Sequence, residues 1–250
     1  MKFVFDLDGT LCFDCKMISD PITQAIQRLE EKGHQIYFAS ARPIRDMFPV
    51  LPEILHHHSM VGSNGSLIKK QGEDIQITAS LPPDILPNLL EILQNTPADY
   101  VADSDWNYSS TLPKSHYLFP HVDPLKVATN LSITQLGQIA KILLFPKENF
   151  SKLLPLISAF PASIVCHNGE EAIDINPLGI TKLEGLKAFG IQDQEAIIFG
   201  NDLNDIPMLE KAKEAICIGD HKIVSAYAKD TIDLTDNYEE RISRKILSYL

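Results

Sequence analysis

The sequence predicts an α/β protein in which a parallel-sheet core is interrupted by an inserted α+β segment. Three observations predict it. An apolar run at the start, Phe3-Val4-Phe5, stops at two acids, Asp6 and Asp8, as a buried strand does where its polar end emerges. Strand-helix-strand spacing follows at once, and the same rhythm returns after residue 177. Between those stretches, residues 80–176 mix strands and helices without that regularity.

Taken in order, Asp20 caps a helix with Pro21 in its first position; Ile22, Ala25, Ile26 and Leu29 share one face, and Gly33 supplies the stop. The strand "QIYFAS" then ends at Ser40, just before Arg42. Strand, helix and strand at this spacing form a βαβ unit, hence parallel pairing with a right-handed crossover. A third unit runs through "FPVLPEILHHH" to "SMVGSNGSLI", with a Ser-Asn-Gly-Ser turn near its strand end. In the insert, "SLPPDILPNLLEILQNTP", "DPLKVATNL" and "KENFSKLLPLISAF" read as helices, while "ADYVADSDW", "KSHYLF", "AKILLF", "ASIVCH" and "EAIDIN" read as strands. After it, a helix starts near Thr181 and stops at Gly190, the strand "EAIIFG" follows, "NDLNDIPMLEKA" opens another helix, and "AICIG" is a short strand. A last helix covers Asn237 to Leu250. The expected organisation is a core of residues 1–79 and 177–250 around an inserted domain at 80–176.

Composition narrows the function classes. The formal net charge is −11 with no compensating basic run, which argues against nucleic acid or an anionic membrane surface as partner. No stretch approaches the ~20 apolar residues of a membrane span, and the short apolar start does not resemble a signal peptide, so a cytoplasmic location is expected. Cys12, Cys15, Cys166 and Cys217 are too few for a disulfide scaffold in a chain this long.

Four short segments fall at expected strand ends or helix starts: "DLDGT" (6–10), "ASAR" (39–42), "ITK" (180–182) and "GNDLND" (200–205). In this order they resemble the motifs of a haloacid-dehalogenase (HAD) superfamily phosphatase of the Cof-type branch. That resemblance implies a Rossmann-like core and makes the insert a cap that sets specificity. The chemistry follows from the residues as well. A phosphate monoester needs charge neutralisation, a nucleophile and a proton for its leaving oxygen. Asp6, at a strand end, suits attack on phosphorus; Asp8 suits protonation of the leaving alkoxide and later activation of water. Gly9 permits the tight turn, and Thr10 is expected to hold Asp8 by a hydrogen bond. Two carboxylates facing a phosphate call for a cation, and Mg²⁺, a hard ion taking octahedral oxygen ligands, is the expected cofactor.

In the family the ion is held by the first Asp side chain, the second Asp carbonyl and an acid of the fourth motif, which implies Asp6 and Asp8 here. The fourth motif departs from the usual Gly-Asp-x-x-Asn-Asp and reads Gly200-Asn201-Asp202-Leu203-Asn204-Asp205. Anchoring on the trailing Asn-Asp puts Asn201 in the direct-ligand slot, with Asp205 acting through water or as the remaining carboxylate; Asp202 is the alternative if the loop is shifted. "TKLE" at 181–184 is a capping box. It puts Lys182 in a first helical turn, where a cation opposes the helix dipole and where a solvated lysine or a phosphate-binding one are the two readings. The resemblance favours phosphate binding. It gives the same role to Ser40, Ala41 and Arg42, where relatives usually read Thr-Gly-Arg, and brings Asn64 and Asn204 to the substrate.

Weaker signals receive bland readings. Cys12-x-x-Cys15 lacks a second ligand pair for zinc. His56, His57 and His58 cannot all face one ion from a helix or strand, and read as solvated residues at an element's end. Asp103, Asp105, Trp106, Asn107, Tyr108 and His116 are polar or aromatic candidates for reading the substrate, or surface loop. The expected function is Mg²⁺-dependent hydrolysis of a small phosphorylated metabolite, a sugar phosphate or cofactor phosphate. Its rivals are a phosphosugar mutase of the same fold and a non-catalytic phosphosugar-binding protein.

Overall fold

The opening apolar run folds as β1 (Lys2–Phe5), an interior strand of a largely parallel sheet, with Phe3, Val4 and Phe5 fully buried. The computed structural model describes residues 1–147, 150–167 and 172–250. Its chain divides into two compact units, Met1–Asp74 with Thr181–Leu250, and Ile75–Ile180.

In the first unit β1 is followed by α1 (Asp20–Glu31), β2 (Gln35–Ala39), α2 (Ile44–Met47), β3 (Ser59–Gly62) and β4 (Leu67–Lys69). α1 starts one residue early: Ser19 is its cap, and Asp20 lies in its first turn. β5 (Ile75–Ile77) begins the second unit, which continues with α3 (Ile85–Asn95), β6 (Ala98–Asp103), β7 (Tyr108–Ser110), β8 (Lys141–Pro146), α4 (Phe150–Ile157), β9 (Ala162–His167) and β10 (Ala172–Pro177). The chain returns to the first unit with α5 (Lys182–Lys187), β11 (Ala196–Gly200), α6 (Ile206–Glu210), β12 (Glu214–Ile218), α7 (Lys222–Ser225), β13 (Asp230–Ile232) and α8 (Tyr238–Leu247).

The strand order within the first unit is β13-β12-β11-β1-β2-β3-β4, parallel throughout except that β4 runs against β3. The chain therefore leaves β1 toward β2 and β3, then comes back to place β11 on the other side of β1. Such a reversal opens a crevice at the carboxyl ends of the strands, where Asp6 follows Phe5. Alternation along β1 fills both faces. Phe5 meets Phe199 and Phe38 on one face, with ring centroids at 4.9 and 6.3 Å. Val4 joins Tyr37, Ile198, Leu186 and Met208 on the other. α1 packs on α8, where Ser243 Oγ donates to the Pro21 carbonyl at 2.9 Å.

The second unit is an antiparallel sheet ordered β7-β6-β8-β10-β9. α3 and α4 bury Ile85, Leu89, Leu153 and Ile157 against Ile142, Leu144, Ile173 and Ile175 of that sheet. Two expected elements are replaced. "KSHYLF" is a chain of turns rather than a strand: His116 N bonds the Pro113 carbonyl and Phe119 N the His116 carbonyl, at 2.9 and 3.0 Å. "DPLKVATNL" is not a helix. Its Asp123 takes a left-handed φ of 47°, and the carboxylate accepts from Val127 N at 2.9 Å and Ala128 N at 3.1 Å, so a side chain takes the backbone donors that a helix would need. Of the expected helix at 147–160, Glu148 and Asn149 lie outside the described residues, as does Glu171 at the start of the expected strand "EAIDIN".

Candidate active site

Where β1 ends, the chain makes a tight reversal: Thr10, Leu11 and Cys12 all direct backbone N–H groups at the Leu7 carbonyl, at 3.1, 2.9 and 2.7 Å. Gly9 sits at φ 77°, and a Cβ there would collide with the Asn201 amide; only glycine meets both demands. The reversal leaves Asp6 buried while the Asp8 side chain remains 43% exposed, so the two acids face different surroundings.

Asp6 is held from two sides. Thr10 Oγ1 donates to Asp6 Oδ2 at 2.8 Å, and Lys182 Nζ donates to Oδ1 at 2.7 Å. The expected Thr10–Asp8 bond is thus replaced by Thr10–Asp6, because the turn carries the Asp8 side chain away from Thr10. Asp8 is gripped by Arg42 instead, Nε to Oδ2 and Nη2 to Oδ1, both at 2.7 Å. This is the fork geometry that arginine offers a carboxylate. Burial works against the Arg42 cation, but the Asp8 hydrogen bonds and charge outweigh it and hold the guanidinium protonated.

Lys182 is the largest departure from a solvated-lysine reading. It opens α5 after Thr181, whose hydroxyl accepts from Glu184 N, and its side chain is 2% exposed. Its ammonium bridges Asp6 and Asp205 at 2.7 Å each, with Asn204 Oδ1 at 3.5 Å. Burial penalises the ammonium, yet Asp205 and Asp6 together raise its pKa above the ordinary lysine value. Asp6 moves up from the ordinary carboxylate range, first through burial and then through the Asp205 charge, with Lys182 pulling it back.

The fourth motif closes on the same point. Asp205 is fully buried; Oδ1 faces Lys182, and Oδ2 accepts Asn201 N and Asp202 N at 2.8 and 3.1 Å. Both its oxygens accept from protein donors, so Asp205 orders its own loop and Lys182. Asp202 turns its carboxylate to Leu203 N at 2.7 Å as a helix cap and lies exposed. Asn201 reaches inward: one terminal amide atom lies 3.0 Å from Asp6 Oδ2, 3.0 Å from the Asp8 carbonyl oxygen and 3.1 Å from Thr10 Oγ1. With nitrogen inward, the amide donates to these acceptors. With oxygen inward, it lies 3.0 Å from an oxygen of Asp6 and 3.0 Å from the Asp8 carbonyl oxygen, the ~2.9–3.0 Å edge that octahedral Mg²⁺ bonds of ~2.0–2.1 Å require. The donor set therefore fits a hard divalent ion.

Ser40, Ala41 and Arg42 follow β2. Ser40 Oγ accepts from Arg42 N at 3.1 Å. The turn Ser63-Asn64-Gly65 takes φ values of 49°, 55° and 114° and bonds this segment through Ser63 N to the Arg42 carbonyl and Asn64 N to the Ser40 carbonyl, at 2.7 and 3.2 Å. Asn64 Oδ1 in turn accepts from Asn204 Nδ2 at 3.2 Å. The expected site residues of the core thus form linked networks at one edge of one sheet.

The sequence reading passed over Arg45 and Asp46, a buried bidentate pair at 2.9 and 2.8 Å beside the Arg42 segment; a charged pair inside the otherwise apolar "PIRDMFPV" was the available signal. Cys12 and Cys15 are free thiols, and burial, then the Asp8 charge, pushes Cys12 up to about 12. In the second unit, Trp106 Nε1 donates to the Val127 carbonyl at 2.9 Å, Asn107 Oδ1 accepts from Thr129 N at 3.0 Å, and the His116 ring packs on Phe145 at 4.5 Å. These three hold their own loops.

The chain is similar to known proteins over most of its length. The model of the haloacid dehalogenase-like hydrolase family matches residues 3–239. The 5-amino-6-(5-phospho-D-ribitylamino)uracil phosphatase of Bacillus subtilis is 27% identical over 240 residues, spanning 86% of this chain and 84% of its own. The HMP-PP phosphatase of Serratia proteamaculans is 24% identical over 234 residues, spanning 86% and 82%. The solved structure of a HAD subclass IIB sugar phosphatase shares the fold with a TM-score of 0.77 at 23% identity, covering 99% of this chain and 98% of that one.

Proposed function

Since this chain belongs to the haloacid dehalogenase-like hydrolase family, we propose that it is a Mg²⁺-dependent phosphatase of a small phosphorylated metabolite, acting through an aspartyl-phosphate on Asp6. The observation that carries this reading is the division of labour between its two acids. Asp6 is buried against the Lys182 ammonium, and Asp8, two residues on, is partly exposed and forked by Arg42.

In the first step an Asp6 oxygen forms a bond to phosphorus as the bond to the leaving oxygen breaks, and Asp8, in its protonated form with one oxygen released from the Arg42 fork, gives that proton to the leaving oxygen. In the second, Asp8 takes a proton from a water that attacks phosphorus, which frees inorganic phosphate and restores the Asp6 carboxylate. Lys182 and the Ser40-Ala41-Arg42 segment bind the phosphate oxygens, and Asn64 with Asn204 lines the substrate side. Asp6, the Asp8 carbonyl and Asn201 would hold Mg²⁺, with Asp205 fixing the loop that carries Asn201. When bound, the ion neutralises the carboxylate and phosphate charges that otherwise repel.

The unit Ile75–Ile180 is the cap of this reading and selects the leaving group. Sugar phosphates are the first substrates to try and cofactor-precursor phosphates the next. The Bacillus subtilis relative, a phosphatase of a phospho-ribityl compound by name, supports that order of trial.

The test is phosphate release from a panel of such compounds, with and without Mg²⁺, beside Asp6→Asn. Mg²⁺-dependent release that falls by at least about 10³-fold in the variant supports the reading. Isomerised product that keeps its phosphate would replace it with the mutase, and tight binding without turnover would replace it with a binding protein.

A further inference from the structure

His56, His57 and His58, expected as solvated neighbours, face three different surroundings in the turn ahead of β3. His56 folds back on its own segment, its Nε2 lying 2.7 Å from the Leu51 carbonyl and 3.1 Å from that of Phe48. His57 Nε2 meets Glu30 Oε1, near the end of α1, at 2.6 Å. His58 is 5% exposed, with its ring on Phe38 at 5.9 Å and 4.0 Å from the His57 ring. Its Nε2 is buried and makes no hydrogen bond; Glu30 Oε2 is 3.8 Å away. A buried polar atom left without a partner is costly, and here it is aimed at a carboxylate and a second imidazole.

We propose that Glu30, His57 and His58 form a second metal site, for a late first-row divalent ion, zinc first, with water completing the coordination. One donor atom from each of the three residues lies within 4.8 Å of the other two. Zinc bonds of ~2.0–2.1 Å in tetrahedral arrangement need donors ~3.3–3.4 Å apart; His57 Nε2 stands 2.6 Å from one Glu30 oxygen and His58 Nε2 3.8 Å from the other, so small side-chain shifts reach that spacing. The remaining adjustment falls on partly exposed groups. The Glu30 and His57 side chains are each 40% exposed, while His58 is held by burial. Two imidazoles and one carboxylate favour zinc over Mg²⁺, which takes oxygen ligands.

The site is separate from the paired acids. α1 runs back from the carboxyl end of β1, so Glu30 lies near the amino end of β2, and His58 directly precedes β3. Asp6 follows the opposite, carboxyl end of β1 in the same parallel sheet. A bound ion would clamp the end of α1 to the turn before β3. Lys69, the nearby cation, turns its ammonium to the His56 carbonyl at 3.2 Å.

The whole chain is stripped with a chelator, returned to excess Mg²⁺ and titrated with Zn²⁺ against a chromophoric chelator, with the melting temperature followed in parallel. One zinc equivalent should bind and raise the melting temperature, and X-ray absorption should show two imidazole ligands. In Glu30→Gln and His57→Gln, both exposed positions, the zinc affinity should fall at least about tenfold and the thermal shift should vanish, while Mg²⁺-dependent phosphate release stays at the wild-type rate. Zinc uptake that is absent, that persists unchanged in both variants, or that is lost in Asp6→Asn would overturn the proposal.

Discussion

Arg42 grips the Asp8 carboxylate with two N–H donors at 2.7 Å each, so the partly exposed acid of the pair has one defined orientation. That orientation matters only if Asp8 moves a proton. Replacing Arg42 by Lys keeps the charge but removes the fork. Arg42→Lys should lower kcat about 10²-fold with little change in KM or melting temperature. A raised KM at unchanged kcat would leave Arg42 with phosphate binding alone and take it out of the orientation of Asp8.

Lys182 separates two buried carboxylates, Asp6 and Asp205, at 2.7 Å from each. Removing one partner of a buried ion pair leaves uncompensated charge, at a cost of about 3–5 kcal/mol. Lys182→Met should therefore reduce the urea unfolding free energy by that amount, and a second change, Asp205→Asn, should restore part of it. A Lys182→Met chain as stable as the wild type would remove the bridge from the energetics of the fold.

The Asn201 amide lies 3.0 Å from both Asp6 Oδ2 and the Asp8 carbonyl. Asn201→Asp adds a charge to a would-be cation site. Half-maximal activity should require about tenfold less Mg²⁺, equal to ~1.4 kcal/mol of added attraction, and the Mg²⁺-free protein should melt lower because two carboxylates then face each other. An unchanged Mg²⁺ requirement would take Asn201 out of the ligand set.

At the other edge of the fold, Glu214 is held down to about 2 from an ordinary 4.5, first by the Tyr249 hydroxyl and then by Lys245 and Lys229. The unfolded chain takes up this proton near pH 4.5 and the native chain only near pH 2. The contribution is therefore complete above pH 4.5 and is lost as pH falls toward 2. Tyr249→Phe should cost about 1 kcal/mol at pH 6, and the gap to wild type should narrow on acidification through that window. A gap constant from pH 6 to pH 2 would contradict this linkage.

Much of the site was readable because its residues sit in short segments at chain reversals. Asp6, Asp8 and Gly9 follow an unbroken apolar strand, and Thr181 caps α5 directly before Lys182. What misread was partner choice. Thr10 serves Asp6 rather than Asp8. Spacing along a chain limits which side chains can meet, but a turn's φ values decide which oxygen each one faces.

In the second unit the same limit applies to whole elements. "DPLKVATNL" has an apolar content that suits a helix, yet Asp123 captures the donors of Val127 and Ala128. His58 shows it most sharply. Three consecutive histidines look alike in sequence, and only the packing of His58 under α1 and against Phe38 distinguishes a buried ring from its neighbours. In the first unit, sequence by itself determined the alternation of strands and helices, because periodicity is local. Burial of Lys182, the Arg42–Asp8 fork and the Glu30–His57–His58 cluster join residues 23 to 176 positions apart, and such pairings exist only once the sheet order brings those strand ends together.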